Sequence, residues 1–438
     1  MGHGHLRIVS LLCALCLLLP LALFTACGNT DGGGEQKDGQ GSEISGLPQL
    51  YLTTQGGADI LSKEDYITCT ADISNVPPEY EANGWTGQVR CRGNTSYTVD
   101  KKSFRVKFDR RQQPLGLGNG PCKSWVLLAE QVDKSMMRDY LMYRLSSYVL
   151  GDRYFSPDCA YVELTVNGEY RGLYLMAEQI ESDVYRIDTG EETGLPPVFR
   201  GFLVELEQSE FRREGQENVD YFRIAERSFG ETDYYTVKGK DISADRTERI
   251  CDYLRNVYAA TARKNSEALA EYIDIDSAAR MFVIQMLACD KDSNYSSTFL
   301  YKTVDGKLTF GPPWDFDLAL GNYKDNESPE LIFMPQLLLS VGSFGEVQSA
   351  ARALWKQLRD EGYFDTLLAE TDAVQAQIAP AAERNAERWN MWGEVYSTSQ
   401  TEEAALFTCH EEAYRHLTDW IKARILFLDT YFGWQSAD

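Results

Sequence analysis

Cys289-Asp290-Lys291-Asp292-Ser293-Asn294 opens the segment on which the fold turns. It leads through Ser296-Ser297 into an apolar strand from Thr298 to Lys302, turned at Asp305-Gly306 into Lys307 to Phe310, and ends in Gly311-Pro312-Pro313-Trp314-Asp315-Phe316-Asp317. An acidic loop, a hairpin and a second acidic loop therefore follow one another. A short hairpin brings its outer ends together, so Asp292 before it and Asp315 after it fall in one cleft. Asp315 and Asp317 straddle Phe316, and in extended chain residues two apart point to the same side. Carboxylates that converge without a basic neighbour repel one another, and the usual resolutions are a raised pKa or a bound divalent cation. Oxygen-only donors favour Mg2+ or Mn2+ over zinc.

Strand patterns dominate before about residue 245 and helical ones after it, which predicts an α+β protein of two lobes. Gln88 to Cys91 reads as a strand, Arg92-Gly93-Asn94-Thr95-Ser96 as its turn, and Lys102 to Phe108 as the return. On the return strand Phe104, Val106 and Phe108 alternate with Ser103, Arg105 and Lys107. Met137, Leu141 and Leu145 predict an amphipathic helix between Asp133 and Tyr148, capped by Asp133. Tyr161 to Val166 and Tyr170 to Met176 form a hairpin about Asn167-Gly168, a dipeptide suited to a type I′ turn. A strand from Phe202 to Leu206 precedes a charged stretch, Gln208 to Asp245, which reads as a solvated surface excursion. A helix from about Arg246, an apolar helix from Asp276 to Ala288 with an aspartate cap, and a buried stripe of Leu417, Ile421, Ile425 and Leu428 follow.

The chain has 438 residues, a net charge of −23, and 43% hydrophobic and 12% aromatic side chains, which excludes disorder for most of its length. Its acidity argues against nucleic acid as a partner. The apolar run from Ile8 to Phe24, interrupted by Pro20, is short for a membrane span. Leu23-Phe24-Thr25-Ala26-Cys27 resembles the lipobox of bacterial lipoproteins, which implies lipidation of Cys27 and an extracytoplasmic protein at the cell surface, touching the membrane through the lipid alone. The expected organisation is a leader (1–26), a flexible linker (27–46), a sheet-rich lobe (47–207), a charged insertion (208–245) and a helical lobe with the acidic loops (246–438). The seven cysteines beyond Cys27 are odd in number and lack CxxC pairs, so most read as buried small hydrophobes. His3, His5, His410 and His416 lie far in sequence from the acidic loops, which leaves no material there for a histidine-dependent triad.

The paired acidic loops match the catalytic half of a protein kinase, in which one loop aspartate orients the acceptor hydroxyl and a second, across a strand pair, holds the metal on the phosphates. The kinase loop places a metal-binding Asn five residues after its aspartate; here Ser297 stands there. No GxGxxG loop is present. The turn with Arg92 and Asn94 either covers a nucleotide or is an ordinary hairpin turn. Lys102, sharing strand parity with Phe104, either pairs with phosphate or is a solvated strand-end lysine. Arg138 and Glu178 complete the cleft or are structural, and no spacing argument selects them.

Arg92 to Ser96, Lys101 to Phe108, Asn167-Gly168-Glu169-Tyr170-Arg171-Gly172-Leu173-Tyr174, Gly201 to Glu205, and Gly311 to Asp317 together resemble the CotH family, atypical kinase-like proteins named after spore coat protein H. The resemblance runs from about Arg92 to Asn322. It implies a two-lobed kinase-like fold and an exported enzyme that uses ATP with Mg2+ or Mn2+ to phosphorylate hydroxyl groups of exported or surface proteins, in the family's best-known case a serine-rich one. It assigns Asp292 as the catalytic aspartate and Asp315 as the metal aspartate, with Asp317 and Ser297 beside it. Two other readings of the acids stand: a surface-tethered binding or structural protein that has lost catalysis, and a glycosidase.

The leader and its cysteine generate the first prediction. Cys27→Ala should release the protein from the membrane fraction or leave it unprocessed; identical fractionation of both forms, with no fatty-acid label on either, would refute lipidation.

Overall fold

The structure, a computed structural model, describes residues 46–209, 219–225, 232–325 and 327–436, so the expected leader, Cys27 and the linker up to residue 45 lie outside the described residues. Seven strands close a barrel: β1 (Gln49–Thr54), β2 (Ile67–Ser74), β3 (Ala82–Arg92), β4 (Ser103–Gln112), β5 (Cys122–Leu128), β6 (Cys159–Val166) and β7 (Glu169–Glu178), in the spatial order β1-β2-β3-β4-β5-β7-β6. Every neighbour is antiparallel except the closing pair β1–β6. Strand side chains alternate between faces, so one set fills the barrel: Val89, Cys91, Phe104, Val106, Phe108, Trp125, Leu127 and Tyr174 are buried together there. Asn167 and Gly168 take φ of 52° and 79°, the positive values that the tight β6–β7 turn needs.

The outer face of the barrel meets two environments. Outward Val126, Tyr161, Leu173 and Leu175 are apolar and join the helical core together with Leu141 and Leu145 of α2 (Arg138–Leu150). On β3 and β4 the outward residues are instead Arg90, Arg92, Arg105 and Lys107, two of them in register across the strand pair. A four-residue helix, α1 (Thr95–Thr98), joins these two strands. Asp133 does cap α2, but from five residues ahead: its Oδ2 accepts the amides of Met137 and Arg138 at 3.0 and 2.9 Å.

A second sheet is built from β8 (Phe202–Leu206), β9 (Tyr221–Ile224), β10 (Asp233–Lys238), β11 (Thr298–Lys302) and β12 (Thr309–Phe310), antiparallel in the order β12-β11-β8-β10-β9. This corrects the surface-excursion reading of Gln208 to Asp245. Within it, Tyr234, Tyr235 and Val237 are buried and β10 pairs with β8, because aromatic and β-branched side chains favour a half-buried pleat despite the charges around them. The sheet also runs through the expected lobe boundary at residue 207, since β8 pairs with both β10 and β11. The α+β character holds, with a sheet-rich N-terminal region and a helix-rich C-terminal one.

The remaining helices are α3 (Ala244–Ala262), α4 (Ser266–Tyr272), α5 (Ile275–Ala288), α6 (Gln336–Gly342), α7 (Gly345–Asp360), α8 (Tyr363–Trp389) and α9 (His410–Phe432). The α5 cap is Asp274, accepting the Ser277 amide at 3.1 Å. Leu417, Ile421, Ile425 and Leu428 of α9 are buried as their spacing predicts. Among the described residues the cysteines are free, and all but Cys409 are buried. No helix among them is long and apolar enough to cross a membrane.

Trp125 is fully buried inside the barrel. Trp125→Ala should lower the unfolding free energy by about 3–5 kcal/mol; a urea midpoint equal to wild type would show that the barrel interior is not a packed core.

Candidate active site

Helix α5 ends at Cys289, whose left-handed backbone (φ 47°) turns the chain into the first acidic loop. Asp290, buried, accepts the amides of Asp292 and Ser293 at 3.0 and 3.3 Å, which shapes a single helical turn and leaves the Asp292 side chain facing a cavity. The β11–β12 hairpin then returns the chain, and its two outer ends meet: Ser297 Oγ donates to Asp315 Oδ2 at 2.7 Å. Ser297 and Asp315 both adopt positive φ, 59° and 67°. Such backbone costs on the order of 1–3 kcal/mol per residue and persists only where the surroundings impose it.

The cavity, about 630 Å³, lies between the acidic loops and the outer face of β3–β4. Asp292, Ser297, Asp315 and Asp317 line one side; Arg90, Arg92, Arg105 and Lys107 line the other. Arg90 stands directly opposite Arg105 on the neighbouring strand. Like charges in that position repel, and a nearby anion relieves the repulsion. Arg105 has Glu181 at 3.2 Å, and the Arg92 guanidinium lies 5.3 Å from the Trp314 ring centre. Asn94 spans the gap, accepting from Lys63 at 3.1 Å and donating to Glu207 at 3.3 Å.

The acids lining the cavity are backed by a buried acidic layer of Glu130, Asp139 and Asp290. Burial, then the Asp315 and Glu207 charges, push the Asp292 carboxyl up to about 7. Burial and Asp315 push Asp139 up to about 7 as well, against the hydrogen bond from the Phe316 amide. Glu130, Asp290 and Asp317 are raised well above the usual carboxylate range, chiefly by burial and then by neighbouring carboxylates. Arg138 is a buried cation beside this layer, paired with Asp133.

The family model described as CotH kinase protein matches residues 89–428, most of the chain and all of these loops. The chain belongs to the CotH kinase family. Membership points to a kinase-like phosphotransferase and implies use of a nucleotide. No curated protein matches the chain.

In this CotH kinase family member, Asp292, Asp315 and Asp317, which their spacing put in one cleft, line one cavity together with Ser297, Arg92 and Asn94. Lys102 does not join them. Its Nζ donates to the carbonyl oxygens of Tyr97 and Val99 at 2.7 and 2.5 Å, and it carries the parity of the barrel-interior residues, whereas the cavity lies on the opposite face. Besides Arg92, the cations that line it are Lys63, Arg90, Arg105 and Lys107, joined by Lys238 and Lys240 from the stretch read as a surface excursion. The signal for Arg105 and Lys107 was the polar half of the β4 alternation. Glu178 pairs with Arg186 at 3.1 Å and does not line the cavity. Arg138 and Asp139 lie behind the site.

The raised carboxylates fix the sign of a pH effect. Asp139 and Asp292 hold protons up to about 7 when folded but ionise near 3.8 when unfolded, so the native state binds more protons between those values. Stability should therefore fall as pH rises from about 4 to 7. Thermal midpoints measured across that range without divalent ions should decline, and Asp139→Asn should flatten the slope; an unchanged slope in the variant would contradict the assignment.

Proposed function

We propose that this protein transfers the γ-phosphoryl group of ATP to serine or threonine hydroxyls of exported proteins, using Mg2+ or Mn2+. The observation that carries the reading is the cavity with two chemically opposite walls. One wall carries Arg90, Arg92, Arg105 and Lys107, a basic stripe only partly offset by Glu181 and suited to an anion; the other is a set of carboxylates that needs a cation or protons. A nucleoside triphosphate with its divalent ion satisfies both walls at once.

The donor set fits such an ion. Among the described residues no three His, Cys, Asp or Glu side chains form a ready-made cage. Mg2+ bound to a nucleotide uses one or two carboxylates plus phosphate oxygens and water, so Asp315 and Asp317 supply what is needed, with Ser297 adjacent. When bound, the ion would neutralise charge on the phosphate oxygens. Arg90, Arg92, Arg105 and Lys107 would hold the phosphates from the barrel side.

Asp292 acts on the acceptor. As the hydroxyl oxygen bonds to the γ-phosphorus, the bridging P–O bond breaks, ADP leaves with the electron pair, and the hydroxyl proton passes to the Asp292 carboxylate. A carboxyl pushed up to about 7 is well matched to that proton transfer near neutral pH. Lipid anchoring through Cys27 would confine the reaction to partners outside the cytoplasm.

Asp292→Asn should lower transfer by roughly 10²–10⁴-fold while leaving nucleotide affinity near wild type. Asp315→Asn should lose transfer and make nucleotide binding nearly independent of the divalent ion. Radiolabelled ATP, Mn2+ and serine-rich exported proteins provide the assay, with calorimetry for binding. Undiminished transfer by Asp292→Asn would overturn the mechanism; no transfer from wild type with either ion, alongside retained partner binding, would favour a non-catalytic surface protein.

A further inference from the structure

The peptide between Asp315 and Phe316 sits between two demands. Asp315 is held in left-handed backbone, and its side chain must face both Ser297 and the cavity. The orientation of the next amide is set by ψ of Asp315, so a group that grips the Phe316 N–H fixes where the Asp315 side chain points. Asp139 is that group: its Oδ1 accepts the Phe316 amide at 2.7 Å. Arg138, the preceding residue on α2, grips the far end of the same loop, its Nε donating to the Ala319 carbonyl at 3.0 Å and its Nη2 to that of Leu320 at 3.4 Å.

The helix turn that carries both residues is itself braced. Arg138 pairs with Asp133, and Asp133 caps the amides of Met137 and Arg138. From the C-terminal helices, His410 Nε2 lies 2.8 Å from the Ser135 carbonyl oxygen, and Lys134 Nζ bonds the Met391 carbonyl. Tyr143, one turn along α2, stacks on Trp314 at 5.7 Å and meets Phe316 edge-on at 6.2 Å, so polar and apolar contacts hold the same loop.

We propose that Arg138 and Asp139 are positioning residues that clamp the Asp315 loop from both ends and so aim its carboxylate at the bound divalent ion. The clamp touches neither substrate nor the reacting atoms. The proposal rests on the assignment of Asp315 as an ion-binding aspartate, and its test separates the two.

The full chain is compared as wild type, Asp139→Ala, Asp139→Asn, Arg138→Lys and, as a destabilised control in the barrel core on β1, Leu52→Ala. Two quantities are measured: hydrogen exchange at the Phe316 amide, and Mn2+ affinity by calorimetry with the metal alone. Loss of this buried hydrogen bond should speed exchange in Asp139→Ala by about tenfold or more and weaken Mn2+ binding by about tenfold. Asp139→Asn keeps an acceptor oxygen and should restore both, while Leu52→Ala should leave Mn2+ affinity unchanged. If Asp139→Ala fails to fold, Arg138→Lys, which keeps the charge facing Asp133 but loses the planar fork on the loop carbonyls, should show the same two effects. Unchanged exchange, or faster exchange with unchanged Mn2+ affinity, overturns the clamp. Wild type that binds no Mn2+ instead overturns the assignment of Asp315, and the clamp's role with it.

Discussion

Mutual repulsion among Asp292, Asp315, Asp317, Asp139 and Glu130 is the constraint around which the functional half of this molecule is arranged. Two unit charges 4 Å apart interact by about 4 kcal/mol at the effective dielectric of a protein surface, and these carboxyls raise one another's pKa values. The structure meets that repulsion in three ways. Protons are retained on the most buried carboxyls. Arg138 supplies a buried cation behind the loop, and backbone amides of Asp292, Ser293 and Phe316 point at carboxylate oxygens. The residual field opens toward a cavity whose opposite wall is cationic. A site built this way is preorganised for a ligand that carries both signs of charge.

The opposite wall shows how one barrel serves two partners. Its interior holds a packed cluster of apolar side chains contributed by all seven strands. The outside of β5, β6 and β7 is committed to packing against helices, while the outside of β3 and β4 is free to hold Arg90, Arg92, Arg105 and Lys107. The second sheet then brings β8, β10 and β11, which are distant in sequence, beside that basic face. Glu205 and Glu207 follow from β8, Lys238 from β10 and Phe299 from β11. A cavity assembled from so many separate segments has no single signature in the chain.

Local patterns carried well into the structure where one short-range rule governed them. Asn167-Gly168 made its turn because few dipeptides accept two positive φ values. The β11–β12 hairpin brought Ser297 to Asp315 because a hairpin must join its own ends. The strands from Phe202 to Leu206 and from Thr298 to Lys302 have the predicted bounds, since each is a run of apolar and β-branched residues bounded by polar or turn residues. The stretch from Gln208 to Asp245 differs from its surface-excursion reading because the Tyr234-Tyr235-Thr236-Val237 run, set among many charges, pairs with β8.

The sequence by itself determined the α+β character, the paired acidic loops with Asp292 and Asp315 at one cleft, and the resemblance to the CotH kinases that the family match then established. These depend on periodicity, turn chemistry and short separations along the chain. Tertiary structure alone decided that Lys102 faces away while Arg105 and Lys107 face the cavity, because strand parity says which residues share a side but not which side meets the acids. It alone decided that Arg138 and Asp139 hold the loop at Phe316 to Leu320, about 180 residues away. Nothing local ties a helix's first turn to so distant a loop; only the packing of α2 between the barrel and the helical core brings the two within hydrogen-bonding reach.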